Sequence, residues 1–184
     1  MRSVGDRRAT ATARDGHPVL LRRVTADDEP ALLAFMQALS VTSRRLRFFS
    51  AWCDLDEAAH WAAGADGTDR IGILATDLDG QILAHAVCCR SPGFRAEVAV
   101  EVSETHRHQG LATILIVRLA TEAEQQGIRF FVAKVLPDNR EMLAVFSDGF
   151  DASRTAAHDA VDIEFPTSAW RLVASRLGRS APPL

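Results

Sequence analysis

Two periods of hydrophobic residues run along the chain, and together they predict both strands and helices. Over residues 97–102 a valine recurs at every second position, with Glu or Ala between, which is the period of a strand with one buried face. Over residues 27–39 the apolar residues recur every three or four positions, which is the period of an amphipathic helix. The fold is therefore expected to combine the two types of element.

The predicted elements follow each other in an order that favours an α+β fold. Strands are predicted over residues 19–24, 71–77, 81–90, 95–103, 130–136 and 160–165. Helices are predicted over residues 27–39, 42–49 and 109–126, and after the capping residues Asp54 and Asp138. Asp79 and Gly80 separate two of the strands and are typical of a two-residue hairpin turn. This order predicts a mostly antiparallel sheet with two late crossover helices.

Polar, aperiodic sequence marks both ends of the chain and suggests one central domain. Residues 1–16 are predicted to be a disordered leader, residues 17–166 a single domain, and residues 167–184 a C-terminal tail in which a short helix around Trp170 is left open. A length of 184 residues also favours one domain.

Composition and charge exclude several classes of protein. The formal net charge is −3, so no overall basic field favours nucleic acid or an anionic membrane. No run of about 18 apolar residues is present to form a transmembrane helix. Three cysteines without a paired spacing argue against a disulfide scaffold and a structural zinc site. His106 and His108 have no third ligand at a sensible spacing, so no metal is expected, and a cytoplasmic location is the default.

The chemically informative segment is the junction between the alternating strand and the helix at 109–126. A polar turn and a glycine, Gly110, precede the helix, so free backbone N–H groups and the positive end of the helix dipole form an anion site. Arg107 adds a positive charge, and Ala112 is small enough to keep a ligand near the first turn. The pattern lacks the residues of a P-loop and of a dinucleotide fingerprint, which leaves another phosphate-bearing ligand.

This junction resembles a known family. Arg107, Gly110 and Ala112 have the spacing of the [QR]xxGx[GA] motif of the GNAT acyltransferases, which use acyl-CoA. A later segment that contains Asn139 and ends at Gly149-Phe150 is similar to the family's second conserved segment. The sequence around the motif also resembles that of bacterial protein-lysine acetyltransferases.

The resemblance implies a fold and a cofactor. The expected GNAT fold has a mostly antiparallel sheet of six to seven strands, splayed at the cofactor strand and flanked by about four helices. Acetyl-CoA would bind in the splay. The implied cofactor contacts are Val100, Val102, Arg107, His108, Gln109, Gly110, Leu111, Ala112, Thr113 and Asn139.

The resemblance also suggests a catalytic base. Glu97 matches the family glutamate that removes a proton from the acceptor amine, and Glu101 is the second choice because it lies closer to the motif. The two glutamates point the same way and lie roughly 13 Å apart along the strand. Both also fit a solvated strand face, and Asn139 also fits a helix cap. The family often has a tyrosine acid near the position of Phe146, whereas this chain has no tyrosine.

The sequence thus predicts an acetyl-CoA-dependent N-acetyltransferase that acts on a primary amine by direct attack in a ternary complex. A protein lysine and a small amine remain open as acceptors. A non-catalytic acyl-CoA-binding regulatory module and an unrelated interaction protein are the alternatives, and a homodimer is possible through an aromatic patch at Phe48, Phe49 and Trp52.

Overall fold

Alternating apolar positions build a single eight-stranded sheet, described here for residues 8–176 in a computed structural model. The strands are β1 (Ala9–Thr12), β2 (Pro18–Arg23), β3 (Arg70–Thr76), β4 (Ile82–Ser91), β5 (Arg95–Val102), β6 (Phe130–Val135), β7 (Ser153–Ala156) and β8 (Val161–Pro166). The helices are α1 (Glu29–Ala38), α2 (Val41–Phe48), α3 (Leu55–Ala63), α4 (Leu111–Gln125), α5 (Arg140–Ala144) and α6 (Trp170–Arg176).

One pair of neighbouring strands runs in the same direction, whereas the other described pairs are antiparallel. The order is β1-β2-β3-β4-β5-β6-β8-β7, and among the described strands only β5 and β6 pair in parallel. Their register covers three residues on each strand, from Arg95 opposite Phe130 to Glu97 opposite Val132. Beyond that point β5 continues to Val102 without a partner on that side, so the sheet is splayed as predicted.

Apolar side chains on the two faces of the sheet form separate cores. Ile73 and Leu74 are neighbours in β3, so they point to opposite faces, and both are fully buried. Ile73 belongs to the larger core, which also contains side chains of α4 and α6. Leu115 of α4 is one of them. Leu74 lies in the smaller core with α1 and α3, whose members include Leu32. Because both faces are covered, the central strands read as long apolar runs.

Side-chain caps explain where α3 and α5 begin. The Asp54 side chain accepts a hydrogen bond from the backbone N–H of Glu57 at 3.0 Å and begins α3 as predicted. The cap of α5 is Asn139 and not Asp138, since the Asn139 side chain accepts from the N–H of Met142 at 3.2 Å. α5 then runs into a wider, π-helical turn at Val145–Gly149.

The structure corrects the predicted leader and adds strands at both sheet edges. Residues 9–12 form β1 and pair with β2, although residues 1–16 were expected to lack structure. The segment ATAT has no large apolar residue, so its alternation gave little signal, yet Ala11 is buried. β7 has four exposed residues and was missed for the same reason. The tail contains α6, so the short helix around Trp170, which the sequence left open, is present. Residues 1–7 and 177–184 lie outside the described part.

Within residues 8–176, no helix is both long enough and apolar enough to span a membrane.

A buried ion-pair cluster joins β2 to α4 and gives a test of the packing. The Glu122 carboxylate accepts hydrogen bonds from Arg23 and from Arg118, whose Nη2 lies 2.7 Å away. Glu122 and Arg118 are both buried.

We expect Glu122→Ala to lower the free energy of unfolding by about 3–5 kcal/mol, because it removes the buried carboxylate that the buried Arg118 and the half-buried Arg23 share. Glu29→Ala is the control, since Glu29 pairs with His60 at the surface and should cost less than about 1 kcal/mol. Urea unfolding of both variants measures the difference, and equal losses would show that the buried cluster does not stabilise this face of α4.

Candidate functional site

The parting of β5 and β6 opens a cleft of about 1140 Å³ that reaches the start of α4. One wall is the end of β5 and the loop that follows it, and the opposite wall is the β6–α5 loop with α5. The lining of the cleft includes every residue predicted to contact the cofactor. These are Val100, Val102, Arg107, His108, Gln109, Gly110, Leu111, Ala112, Thr113 and Asn139. The structure therefore brings the predicted set together around one cavity.

The start of α4 has the geometry of an anion site. Gly110 precedes the helix with φ +80°, a left-handed conformation that glycine adopts without strain. The first intrahelical hydrogen bond runs from the N–H of Ile114 to the carbonyl oxygen of Gly110 at 3.0 Å. The N–H groups of Leu111, Ala112 and Thr113 precede this bond and line the cleft, so they are available to phosphate oxygens.

The hairpin between β1 and β2 forms part of the same cavity, and sequence reasoning missed it. Thr12, Ala13 and Arg14 line the cleft. The N–H of Arg14 donates a hydrogen bond to the carbonyl oxygen of Gln109 at 2.9 Å, which ties this hairpin to the loop before α4. The assignment of residues 1–16 to a leader concealed these residues, and the short run ATAT next to a predicted strand was the one available signal.

The guanidinium of Arg107 is bound by residues of α2 and of the loop after β5. Its Nη2 donates to the hydroxyl of Ser43 at 2.7 Å and lies 3.8 Å from the Glu104 carboxylate. Glu104 also accepts hydrogen bonds from the Ser43 hydroxyl and from the N–H of Ser40, which caps α2. Although desolvation opposes it, this hydrogen bonding lowers the pKa of Glu104 to about 2. Arg107 and Glu104 therefore hold the start of α2 against the loop.

Glu101 is a buried carboxylate in an ion-pair network at the wall of the large cleft. It is 5% exposed and accepts hydrogen bonds from Nε of Arg47 in α2 and from Nδ1 of His85 in β4, the latter at 2.7 Å. Desolvation would raise its pKa, but Arg47 and His85 outweigh it and lower that pKa to about 2. An ionised carboxylate only accepts hydrogen bonds, so the proton of this bond lies on His85. The sequence signal for His85 was a histidine within an apolar run.

Glu97 differs from Glu101 although the two share a face of β5. Glu97 is exposed and borders a second cavity of about 260 Å³. This second cavity meets the large cleft at shared lining residues, which include Arg47, Val100 and Asn139. The alternation of the strand predicted the shared face, whereas the different burial comes from α2, which covers Glu101.

Charged side chains from the two walls meet across the cleft. Arg45 of α2 pairs with Asp138 of the β6–α5 loop, and His108 Nε2 lies 3.5 Å from Glu141 Oε1. Arg45 and Arg47 of α2 each pair with a carboxylate. α2 is thereby connected to both sides of the cleft.

The position where a tyrosine acid was considered holds a buried phenylalanine. Phe146 is 2% exposed, and its ring centroid lies 5.4 Å from that of Phe165. It borders the smaller cavity and offers no proton. In the part of the chain that is described, no group of three or more His, Cys, Asp or Glu side chains could hold a metal ion.

Comparison with known proteins identifies relatives of this architecture. Residues 33–150 match the model of the acetyltransferase (GNAT) family. The GNAT domain of PAT from S. lividans is 32% identical, with a TM-score of 0.79, over 86% of this chain and 96% of that domain.

More distant structures share the fold. A cAMP-binding acyltransferase from Mycobacterium smegmatis is 21% identical with a TM-score of 0.62, and the match covers 95% of this chain but 57% of that one. RimJ from Mycobacterium smegmatis, solved in complex with CoA-disulfide, is 14% identical with a TM-score of 0.67 over 94% of each chain. No protein with a curated description matches the sequence.

The Glu101 network should make stability depend on pH. The pKa of Glu101 is lowered from 4.5 to about 2 on folding, so the unfolded chain binds the proton more readily. The stabilisation is present above pH 4.5 and is lost as the pH falls from about 4.5 towards 2.

We therefore expect Glu101→Gln to lower the free energy of unfolding at pH 7 by about 3 kcal/mol, and the difference from wild type to shrink as the pH falls through this window. Urea unfolding at a series of pH values measures it. Glu97→Gln makes the same substitution at an exposed site of the same strand and should stay within about 0.5 kcal/mol of wild type. Parallel pH curves for wild type and Glu101→Gln would contradict the network's role.

Proposed function

Because the chain belongs to the GNAT family of acetyltransferases, we propose that it transfers an acetyl group from acetyl-CoA to a primary amine. The observation that carries the proposal is the joining of two cavities at the splay of β5 and β6. One presents an anion site and the other presents an exposed carboxylate. A pyrophosphate-bearing acyl donor and a cationic acceptor would then meet at Val100, which borders both.

The residues of the large cleft fit acetyl-CoA in size and chemistry. The N–H groups of residues 111–113 would receive the pyrophosphate at the positive end of α4, and the uncommitted strand edge of β5 near Val100 and Val102 would pair with the pantetheine arm. An N–H of that edge would also polarise the thioester carbonyl. Arg14, which sequence reasoning did not select, adds a cation at the same cleft.

Glu97 is the proposed general base. The acceptor ammonium must lose a proton before its nitrogen attacks the thioester carbonyl, and Glu97 is an exposed carboxylate at the cavity where the acceptor would enter. The C–S bond then breaks and CoA leaves as a thiolate. The second nitrogen proton passes to this thiolate through solvent, because Phe146 cannot supply a proton. We assign Glu101 a positioning role, since its two oxygens are engaged by Arg47 and His85.

The acceptor cavity suits an alkyl chain that ends in an amine. Phe48 and Phe49 line it beside Glu97, and Trp52 lies nearby in sequence with 94% of its surface exposed. An aromatic wall with a carboxylate fits the methylene stem and ammonium of a lysine. We favour a protein lysine as the acceptor, on the likeness to the S. lividans PAT domain, and a small-molecule amine is the second candidate.

A non-catalytic acyl-CoA-binding module is the rival proposal, and the missing tyrosine favours it. Release of free CoA thiol with an added amine separates the two, because a binding module would hold acetyl-CoA without turnover. For location we retain the cytoplasm, which suits three free cysteines.

Gly110→Glu should abolish CoA binding, because it strains a left-handed backbone and places an anion at the pyrophosphate site. Thermal melts with and without CoA measure this effect. For wild type, CoA at a hundred times its Kd should add about 2.7 kcal/mol, a shift of several degrees.

Gly127→Glu is a matched control for this variant. Gly127 also has a left-handed φ, +76°, and follows the opposite end of α4 outside the cleft. Its variant should lose stability yet keep the CoA-dependent shift. A Gly110→Glu protein that keeps the wild-type shift would refute the anion site.

Glu97→Gln should lower kcat by about a hundredfold while CoA affinity stays within a few-fold, as expected for loss of a general base outside the cofactor cleft. Thiol release with a lysine-containing peptide measures turnover, and CoA melts measure binding. If Glu101→Gln reduced kcat in this way and Glu97→Gln did not, the assignment of the base would be wrong.

A further inference from the structure

The chain contains a single lysine, Lys134, and the fold places it at the acceptor cavity. Among 21 Lys and Arg residues it is the only lysine in the sequence. Lys134 lies in β6 and lines the smaller cavity together with Glu97, Val100 and Asn139. Because Val100 and Asn139 also border the large cleft, the only lysine of the chain lines the same cavity as the proposed base, beside the proposed site of the acyl donor.

Strand register shows that Lys134 and Glu97 lie on the same face of the sheet. Glu97 stands opposite Val132 in the parallel pair, and Lys134 follows Val132 by two residues, so it points the same way. Two residues of strand rise place it roughly 7 Å further into the splay. A lysine side chain is long enough to cover such a distance, so its amine can approach the gap between the strands.

An ion pair holds the amine at rest. Nζ of Lys134 lies 2.8 Å from Oδ1 of Asp162, its partner on β8, and the Lys134 side chain is 60% exposed. The hydrogen bond to Asp162 and the charge of Asp162 raise the pKa of Lys134, and Glu97 and Asp159 act in the same direction. The amine is therefore protonated near neutral pH and needs both release from Asp162 and a base before it can react.

We propose that Lys134 is a self-acetylation site of this protein, an inference that rests on the acetyl transfer proposed above. Glu97 takes a proton from the Lys134 ammonium, and the free amine attacks the carbonyl carbon of acetyl-CoA. The new N–C bond forms as the C–S bond breaks, and the second nitrogen proton passes through water to the departing CoA thiolate. Glu97 afterwards releases its own proton to solvent. The product is an amide without charge, so the ion pair with Asp162 is lost.

The test is incubation of the full chain with acetyl-CoA, followed by intact mass and peptide mapping. We expect the addition of one acetyl group at Lys134. The fraction of protein modified per unit time should not change with protein concentration, because the transfer is intramolecular. Lys134→Arg keeps a cation opposite Asp162 and should abolish the modification at this site. Acetylation confined to the N-terminal amine, or a rate proportional to protein concentration, would overturn the proposal.

Two substitutions should change the rate in opposite directions. Asp162→Asn removes the carboxylate that holds the ammonium and should speed self-acetylation several-fold, whereas Glu97→Gln should slow it by at least tenfold. A slower reaction of the Asp162→Asn variant would show that the ion pair does not hold the amine back, and it would contradict the proposed restraint.

Further controls separate this proposal from the acetyltransferase activity itself. Gly110→Glu reports uncatalysed chemical acetylation, and an equal rate in this variant would overturn self-acetylation. If wild type releases CoA thiol with an added amine but leaves Lys134 unmodified, self-acetylation is wrong and the proposed function stands. If wild type shows no CoA-dependent shift in its melt, the proposed function itself fails.

Discussion

The pairing of β5 with β6 stops after three residues, and both the large cleft and the proposed chemistry depend on that interruption. A parallel pair in the middle of a sheet normally continues along both strands, because each backbone N–H and carbonyl group needs a partner. Here the strands diverge, so β5 presents a polar edge inside the protein. The large cleft lies along this edge, and α4 begins at its end. A ligand with amide groups and phosphates can satisfy both features at once.

Ion pairs around α2 keep this opening in place. Glu101 and Glu104 follow each other closely on β5 and its loop, and they fix Arg47 and the capping residue Ser40 of the same helix. Arg45 reaches across to Asp138 on the far wall. Glu101 and Glu104 therefore hold α2 in place, while Glu97, on the same strand as Glu101, is exposed at the smaller cavity. One alternating strand thus carries both a structural and a chemically available carboxylate.

Sequence reasoning reached the features that depend on local pattern. The motif at Arg107 to Ala112 predicted the glycine turn that begins α4, and the alternation in β5 predicted the shared face of Glu97 and Glu101. It did not reach their different burial, because that is set by α2, which lies about fifty residues away in sequence. The same limit explains why the sequence did not predict the hydrogen bond from the Arg107 guanidinium to Ser43 of α2.

Weakly patterned segments account for the other differences. β1 and β7 consist of small and polar residues, so only their pairing with neighbouring strands makes them strands. The choice of Asp138 over Asn139 as the cap of α5 failed because the two adjacent residues have nearly equal capping propensity. Tertiary contacts decided each of these positions.

The hydrogen bond between Arg14 and Gln109 has a consequence for the kinetics of the cleft. β1 is a four-residue strand at the edge of the sheet, bonded on one side only, and such strands open locally at a lower free energy than central ones. Each opening of β1 would carry its turn away from the loop before α4. The residence time of CoA at the proposed site would then depend on how often β1 frays, although β1 lies far from the motif in sequence. It would depend on the contacts of the motif itself as well.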